Sequence, residues 1–100
     1  MSELTETHFS VRSVGDTNRL FVERYATQVS LILFYSTACP HCEPVKHIFE
    51  KLPNELGGCE IGMIDIGVHK SVVGMSSHTD TPITYTPRIA VYRDGMEFAI

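Results

Sequence analysis

Apolar and polar positions along the chain fall into segments of two different periods. Across residues 8–14, Phe9 and Val11 alternate with Ser10 and Arg12, the period-two mark of a half-buried strand. Gly15-Asp16 interrupts it, and Asp16 or Thr17 can cap a following helix with Leu20, Phe21 and Tyr25 on one side. Val29–Tyr35 is β-branched and aromatic and apolar at both alternations, as in a central strand covered on two faces. Val45, Ile48, Phe49 and Leu52 then recur at helical spacing, with Glu43, Lys46, His47, Glu50 and Lys51 on the other faces. This helix is expected to begin near Pro40, to lose one hydrogen bond at Pro44 and to end or bend at Pro53. Residues 61–66 read as a buried strand interrupted by Gly62, and residues 69–75 as a short helix followed by a Ser/Thr/Asp-rich loop. Arg88–Arg93 is a strand, Asp94-Gly95 a hairpin turn, and residues 96–100 the returning antiparallel strand.

The order β-α-β-α-β-(α)-β-β predicts an α/β fold, a mixed β-sheet flanked by helices. Two β-α-β units supply parallel strands through right-handed crossovers, and the final hairpin adds antiparallel ones. One hundred residues suffice for a single domain, 1–100, and a composition of 43 % hydrophobic and 20 % charged residues supports a packed core. The net charge of −4, with no cluster of Lys or Arg, excludes nucleic-acid binding as the main role. The nearly apolar stretch Val29–Tyr35 is far shorter than the ~20 residues that cross a bilayer, so no membrane role is expected. The acidic start, Met1-Ser2-Glu3-Leu4-Thr5-Glu6, lacks the pattern of a secretory signal, and a cytoplasmic location is expected.

The cysteines carry the chemistry. Cys59 stands alone after Gly57-Gly58 and reads as a small buried hydrophobe or a regulatory thiol. Cys39-Pro40-His41-Cys42 lies where a buried strand stops and an amphipathic helix starts. Free backbone N–H groups and the macrodipole at a helix N-terminus favour a thiolate, the reactive form of cysteine. Cys39 is therefore the expected exposed nucleophile. Cys42, one turn later and more buried, can reach back to close a disulfide. His41, as a cation or a hydrogen-bond donor, would stabilise the Cys39 thiolate and make the pair more oxidising than one enclosing Gly-Pro. Two incidental buried thiols are the plain alternative. A zinc half-site completed by His47, His69 or His78 is another, although no second Cys-x2-Cys exists. Covalent haem attachment fails because Glu43 stands where a histidine is needed.

The strand Val29–Tyr35, the loop Ser36-Thr37-Ala38, the Cys-Pro-His-Cys sequence and the helix resemble the active-site region of thioredoxin-fold oxidoreductases. The inner Pro40-His41 is similar to that of the bacterial disulfide oxidase DsbA. Tyr85-Thr86-Pro87, before the strand Arg88–Arg93, is a second match. The resemblance implies a thioredoxin-like fold with a cis Thr86–Pro87 bond beside the redox cysteines, where Thr86 and Pro87 pair with an extended substrate. It covers roughly residues 8 to 100, and its N-terminal β-α unit and the Cys42-to-Pro87 spacing look more like thioredoxin than glutaredoxin. Arg88, directly after Pro87, is expected near the rim, holding a thiolate or an acidic substrate, or else as a strand-edge cation. Tyr35 is expected beneath the site or simply in the core.

Three positions depart from the pattern. Leu33 occupies the place of a buried acid, leaving Glu43 or Asp65 as candidate proton carriers for Cys42; Ala38 replaces an aromatic residue; and the usual C-terminal helix is missing, which predicts an uncovered apolar sheet face that calls for a partner. The expected activity is thiol–disulfide exchange on protein disulfides. It needs no dissociable cofactor or metal, because the Cys39–Cys42 pair is itself the redox group, and thioredoxin reductase or glutathione would donate electrons. The competing reading is a redox-inactive adaptor that binds through the uncovered face. A weaker third reading, a folding catalyst for secreted proteins, requires an export signal.

Overall fold

A computed structural model describes residues 1–52 and 57–99. Its strands are β1 Ser2–Glu3, β2 Phe9–Val14, β3 Thr17–Val22, β4 Val29–Tyr35, β5 Glu60–Asp65, β6 Arg88–Arg93 and β7 Met96–Ala99. Two α-helices, α1 Cys42–Lys51 and α2 Ser71–Ser76, accompany single 3₁₀ turns at Glu6–His8 and Glu23–Tyr25. All seven strands join one sheet in the order β1-β5-β4-β6-β7-β3-β2. The β4–β5 and β1–β5 pairs are parallel, and the rest are antiparallel. The sheet is mixed, as expected.

β4 lies at the centre, paired with β5 on one side and β6 on the other along nearly its whole length. Its alternating side chains build two cores. Ile32 and Phe34 face Leu4, Phe9, Leu20, Val22, Ile64, Val72 and Tyr92. Leu33 and Tyr35 face α1 through Cys42 and Phe49, together with Ile61 and Met63 of β5. The strand is apolar on both faces because both faces are covered.

The sequence expectation fails at residues 17–25, where no helix forms. Thr17–Val22 pairs with Phe9–Val14 as a hairpin closed by Gly15-Asp16, with Gly15 at φ +62°. A glycine in the first position of a two-residue turn is one of the favoured hairpin closures. Leu20 and Val22 alternate into the core, while Phe21 points to the other face, so the period is two. The expected first β-α unit is therefore a β-hairpin. Val22 donates its N–H to the Gly95 carbonyl, joining the hairpin to the end of the sheet beyond β7. β4-α1-β5 is the one β-α-β unit linking adjacent parallel strands among the described residues. The short β1, which the pattern did not announce, lies at the opposite edge.

Gly62 is the apparent interruption in β5, and it has a packing cause. A Cβ there would sit 2.9 Å from Leu4 Cδ1 and 3.0 Å from Ile32 Cδ1, so the missing side chain makes room for the Leu4 and Ile32 side chains. The Asp94-Gly95 turn forms as expected, with both residues at positive φ (53° and 82°). Helix α1 starts at Cys42 with His41 as its N-cap, and Pro40 lies in the preceding turn. Pro44 then falls in the first turn, where backbone N–H groups have no intrahelical partner, so it costs no hydrogen bond. Ile48 is 60 % exposed rather than part of the core. The expected stop at Pro53 lies outside the described residues, as does Ile100.

α1 covers β4 and β5, but among the described residues no helix covers the same face of β6 and β7. Val29, Ile89 and Phe98 are exposed there, and Phe21, Arg93, Asp94, Met96 and Phe98 line a shallow depression. No helix of the described residues is long and apolar enough to cross a membrane.

Candidate active site

The chain leaves β4 at Tyr35 and turns through residues 36–41 before α1. Ser36 organises that turn: its Oγ accepts the Ala38 N–H at 3.2 Å, and its carbonyl accepts the Cys39 N–H at 3.0 Å. The Cys39 carbonyl in turn accepts the Cys42 N–H at 3.2 Å. This places Cys39 at the mouth of the helix and Cys42 in its first turn. Cys39 is half-buried, and Cys42 is enclosed by Leu33, Tyr35, Phe49 and Met63.

The loop before β6 meets the cysteines. The Thr86–Pro87 bond is cis, and the Thr86 carbonyl oxygen lies 3.7 Å from Cys39 Sγ. The two free thiols respond oppositely to their surroundings. Hydrogen bonding from the Cys42 thiol, then from the Thr86 side chain, lowers the Cys39 pKa, and the His41 and Cys42 backbone N–H groups lower it further. Burial raises the Cys42 pKa, and its hydrogen bond to Cys39 raises it again. One sulfur is thus disposed to be an anion and its neighbour to keep a proton. That combination suits attack by the first and proton-gated release by the second.

Other candidates fall into different places. His41 acts on Cys39 through its backbone N–H, while its side chain is exposed. Arg88 is not at the rim and not at a strand edge. It is 3 % exposed, on the sheet face away from α1, with Nη1 and Nη2 donating to the Glu97 carboxylate at 3.3 Å. The expected contact with a thiolate or substrate is therefore replaced by a buried ion pair, because the first residue of β6 points into the opposite core. Asp65 Oδ1 is occupied by the Gly67 and Val68 N–H groups at 2.9 and 3.3 Å, and Glu43 is exposed beside His47 at 3.7 Å. Leu33, at the position of the missing acid, is fully buried. Tyr35 packs with Cys42 in the α1-side core and sends its hydroxyl outward to donate to Glu3 at 3.2 Å, while Lys46 Nζ stands 4.7 Å above its ring. Burial and the Glu3 carboxylate push the Tyr35 pKa up.

Cys59 precedes β5, at the end of the sheet opposite Cys39, and burial followed by Glu60 raises its pKa. His69 approaches Glu6 at 3.8 Å, and the His78 carbonyl accepts from Asn18. His8 belongs to the 3₁₀ turn, where its Nδ1 accepts the Thr5 N–H. Among the described residues, no group of three or more His, Cys, Asp or Glu side chains is placed to hold a metal ion. Ser36 is the residue the sequence reading passed over; a serine directly after a buried strand, two residues before an N–H that needs a partner, was its signal.

A buried parallel strand, two thiols at the start of the helix that follows and a cis-proline loop facing the first of them define a thioredoxin-type α/β protein. The chain belongs to the thioredoxin family, whose model matches residues 11–99. Uncharacterized protein 196R of Invertebrate iridescent virus 6 is 32 % identical over 80 residues, covering 80 % of this chain and 46 % of the viral protein. Uncharacterized protein 020R of Invertebrate iridescent virus 3 is 30 % identical over 73 residues, covering 71 % of this chain and 44 % of that protein. The chain thus matches less than half the length of either viral relative. Among solved structures, Fasciola hepatica thioredoxin has a TM-score of 0.63 at 18 % identity, covering 75 % of this chain and 68 % of its own. Malassezia sympodialis thioredoxin has a TM-score of 0.63 at 16 % identity, with coverages of 76 % and 65 %. At these identities the likeness is one of fold. Family membership and the Cys39-x-x-Cys42 pair support thiol–disulfide oxidoreductase chemistry at the family level.

Proposed function

We propose that this protein is a thiol–disulfide oxidoreductase acting on protein disulfides through Cys39 and Cys42. The carrying observation is the pair itself: a half-buried Cys39 at the mouth of α1, its sulfur 3.7 Å from the Thr86 carbonyl of the cis-proline loop, and a buried Cys42 in the first turn of the helix. The Cys39 thiolate attacks one sulfur of a substrate disulfide. A mixed disulfide forms, and the other substrate sulfur leaves as a thiolate that takes a proton from water. Cys42 then gives its proton to water and attacks Cys39 Sγ as a thiolate; the bond from Cys39 to the substrate breaks, the second substrate sulfur leaves as a thiolate that takes up a proton, and a Cys39–Cys42 disulfide remains. Two electrons pass to the substrate. Oxidation of a dithiol runs the same steps backwards.

The Thr86 carbonyl beside Cys39 is suited to hold an extended substrate segment by main-chain hydrogen bonding. Thioredoxin reductase or glutathione would restore the dithiol. In the reducing cytoplasm proposed for it, the pair would stand mostly reduced and work as a reductase. Insulin reduction with dithiothreitol as donor tests the reading: turnover is expected and should vanish in a folded Cys39→Ser variant. Turnover unaffected by that substitution would overturn it.

The exposed Val29, Ile89 and Phe98 favour a second reading, an adaptor that binds a partner through the open sheet face. A folded wild-type protein without insulin turnover is the result that selects it.

A further inference from the structure

We propose that Arg88 is a positioning residue for the redox centre, acting from the far face of the sheet through Glu97. The proposal rests on the oxidoreductase reading for its purpose but on separate observations for its substance. Arg88 opens β6 two residues after Thr86, whose carbonyl lies 3.7 Å from Cys39 Sγ. Three hydrogen bonds of 3.3 Å tie its guanidinium to Glu97 on β7. The Tyr92 hydroxyl donates to the same carboxylate at 3.1 Å, and all three side chains are buried. The guanidinium also lies 5.7 Å from the ring centroid of Phe34, the residue paired with Arg88 across the β4–β6 ladder.

An ion pair buried this deeply gains little over apolar side chains of the same volume, because desolvation offsets its attraction. What it adds is a fixed direction. A planar fork that meets a carboxylate with both nitrogens admits few orientations. Here it fixes the first residue of β6 against β7 and, through Phe34, against β4 one residue before Tyr35. From Tyr35 the chain runs directly into the turn that carries Cys39. Both segments that meet at Cys39, residues 36–39 and 86–88, are thus referred to one buried clamp. The 3.7 Å approach of the Thr86 carbonyl to the Cys39 sulfur depends on that alignment, and Thr86 is among the groups that hold the Cys39 pKa down.

The test replaces the clamp rather than halving it, since removing one partner strands a buried charge. The double variant Arg88→Met/Glu97→Leu, in a Cys59→Ser background, is expected to fold with a melting temperature a few degrees below that of its parent, because the buried Tyr92 hydroxyl loses its acceptor. Its Cys39, titrated by thiolate absorbance, should ionise at higher pH, and the glutathione equilibrium of the Cys39–Cys42 pair should shift about fivefold towards the disulfide. A folded double variant with unchanged titration and equilibrium overturns the proposal. Should the double variant not fold, Arg88→Lys, which keeps the charge and loses the fork, is read the same way: a shifted titration supports positioning, and an unchanged one refutes it. Failure of the parent protein to form any Cys39–Cys42 disulfide would defeat the oxidoreductase reading, while the thiol titration would still decide the role of Arg88.

Discussion

At the scale of single residues, the site separates two cysteines that the sequence presents as near equals. Cys39 has donors around its sulfur, and Cys42 has Leu33, Phe49 and Met63 around its own. The signs follow. In the reduced protein, the lowered Cys39 pKa favours the fold above the ordinary thiol range, and that contribution fades as pH falls through the lowered value. The raised Cys42 pKa works the other way, favouring the fold at low pH and fading as pH rises through the raised value. His41 distinguishes imidazole from backbone. Its φ of −79° accepts proline, which deletes the N–H that faces Cys39. His41→Pro should therefore raise the Cys39 pKa and make the pair more reducing, whereas His41→Gln, which keeps the N–H, should change either little. Equal shifts in the two variants, by thiolate titration and glutathione equilibration, would return the effect to the imidazole.

At the scale of elements, helix α1 and strands β4 and β6 were legible because their signals were local. Continuous apolar character in Val29–Tyr35, the 3.6 spacing from Val45 to Leu52 and the Asp94-Gly95 turn all state their structure within a few residues. Leu20, Phe21 and Tyr25 misled because three apolar side chains in a short segment fit a loose helical face almost as well as an alternation. The deciding partners, Phe9 and Gly95, are distant in sequence. Arg88 was misplaced for a related reason: its position after Pro87 was readable, but the face it takes depends on Glu97 arriving from β7. Gly62 had a readable anomaly and an unreadable cause. Gly62→Ala should destabilise the protein by about 1–3 kcal/mol in urea unfolding, the range for overpacked cores, by forcing its Cβ against Leu4 and Ile32. In a Leu4→Ala background the same change should cost clearly less. Additive effects would mean that the two side chains do not compete for this space.

At the scale of the whole molecule, among the described residues the sheet is covered on one face by the hairpin side chains and α2, and only partly on the other by α1. Phe98 is 62 % exposed, with the Arg93 guanidinium 5.9 Å from its ring. Phe98→Ser should leave the urea midpoint nearly unchanged while reducing binding of a hydrophobic dye. A loss of about 3–5 kcal/mol, the cost of truncating a buried phenylalanine, would show instead that this ring is packed.

The central place of β4 has a consequence for endurance. Strands at the margins of a sheet fray first, and an interior strand bonded on both sides parts from its neighbours only when the whole domain opens. The cysteine-bearing turn hangs from such a strand. Breathing at β1 or β2 therefore leaves the two sulfurs in register, even where the rims of the sheet loosen.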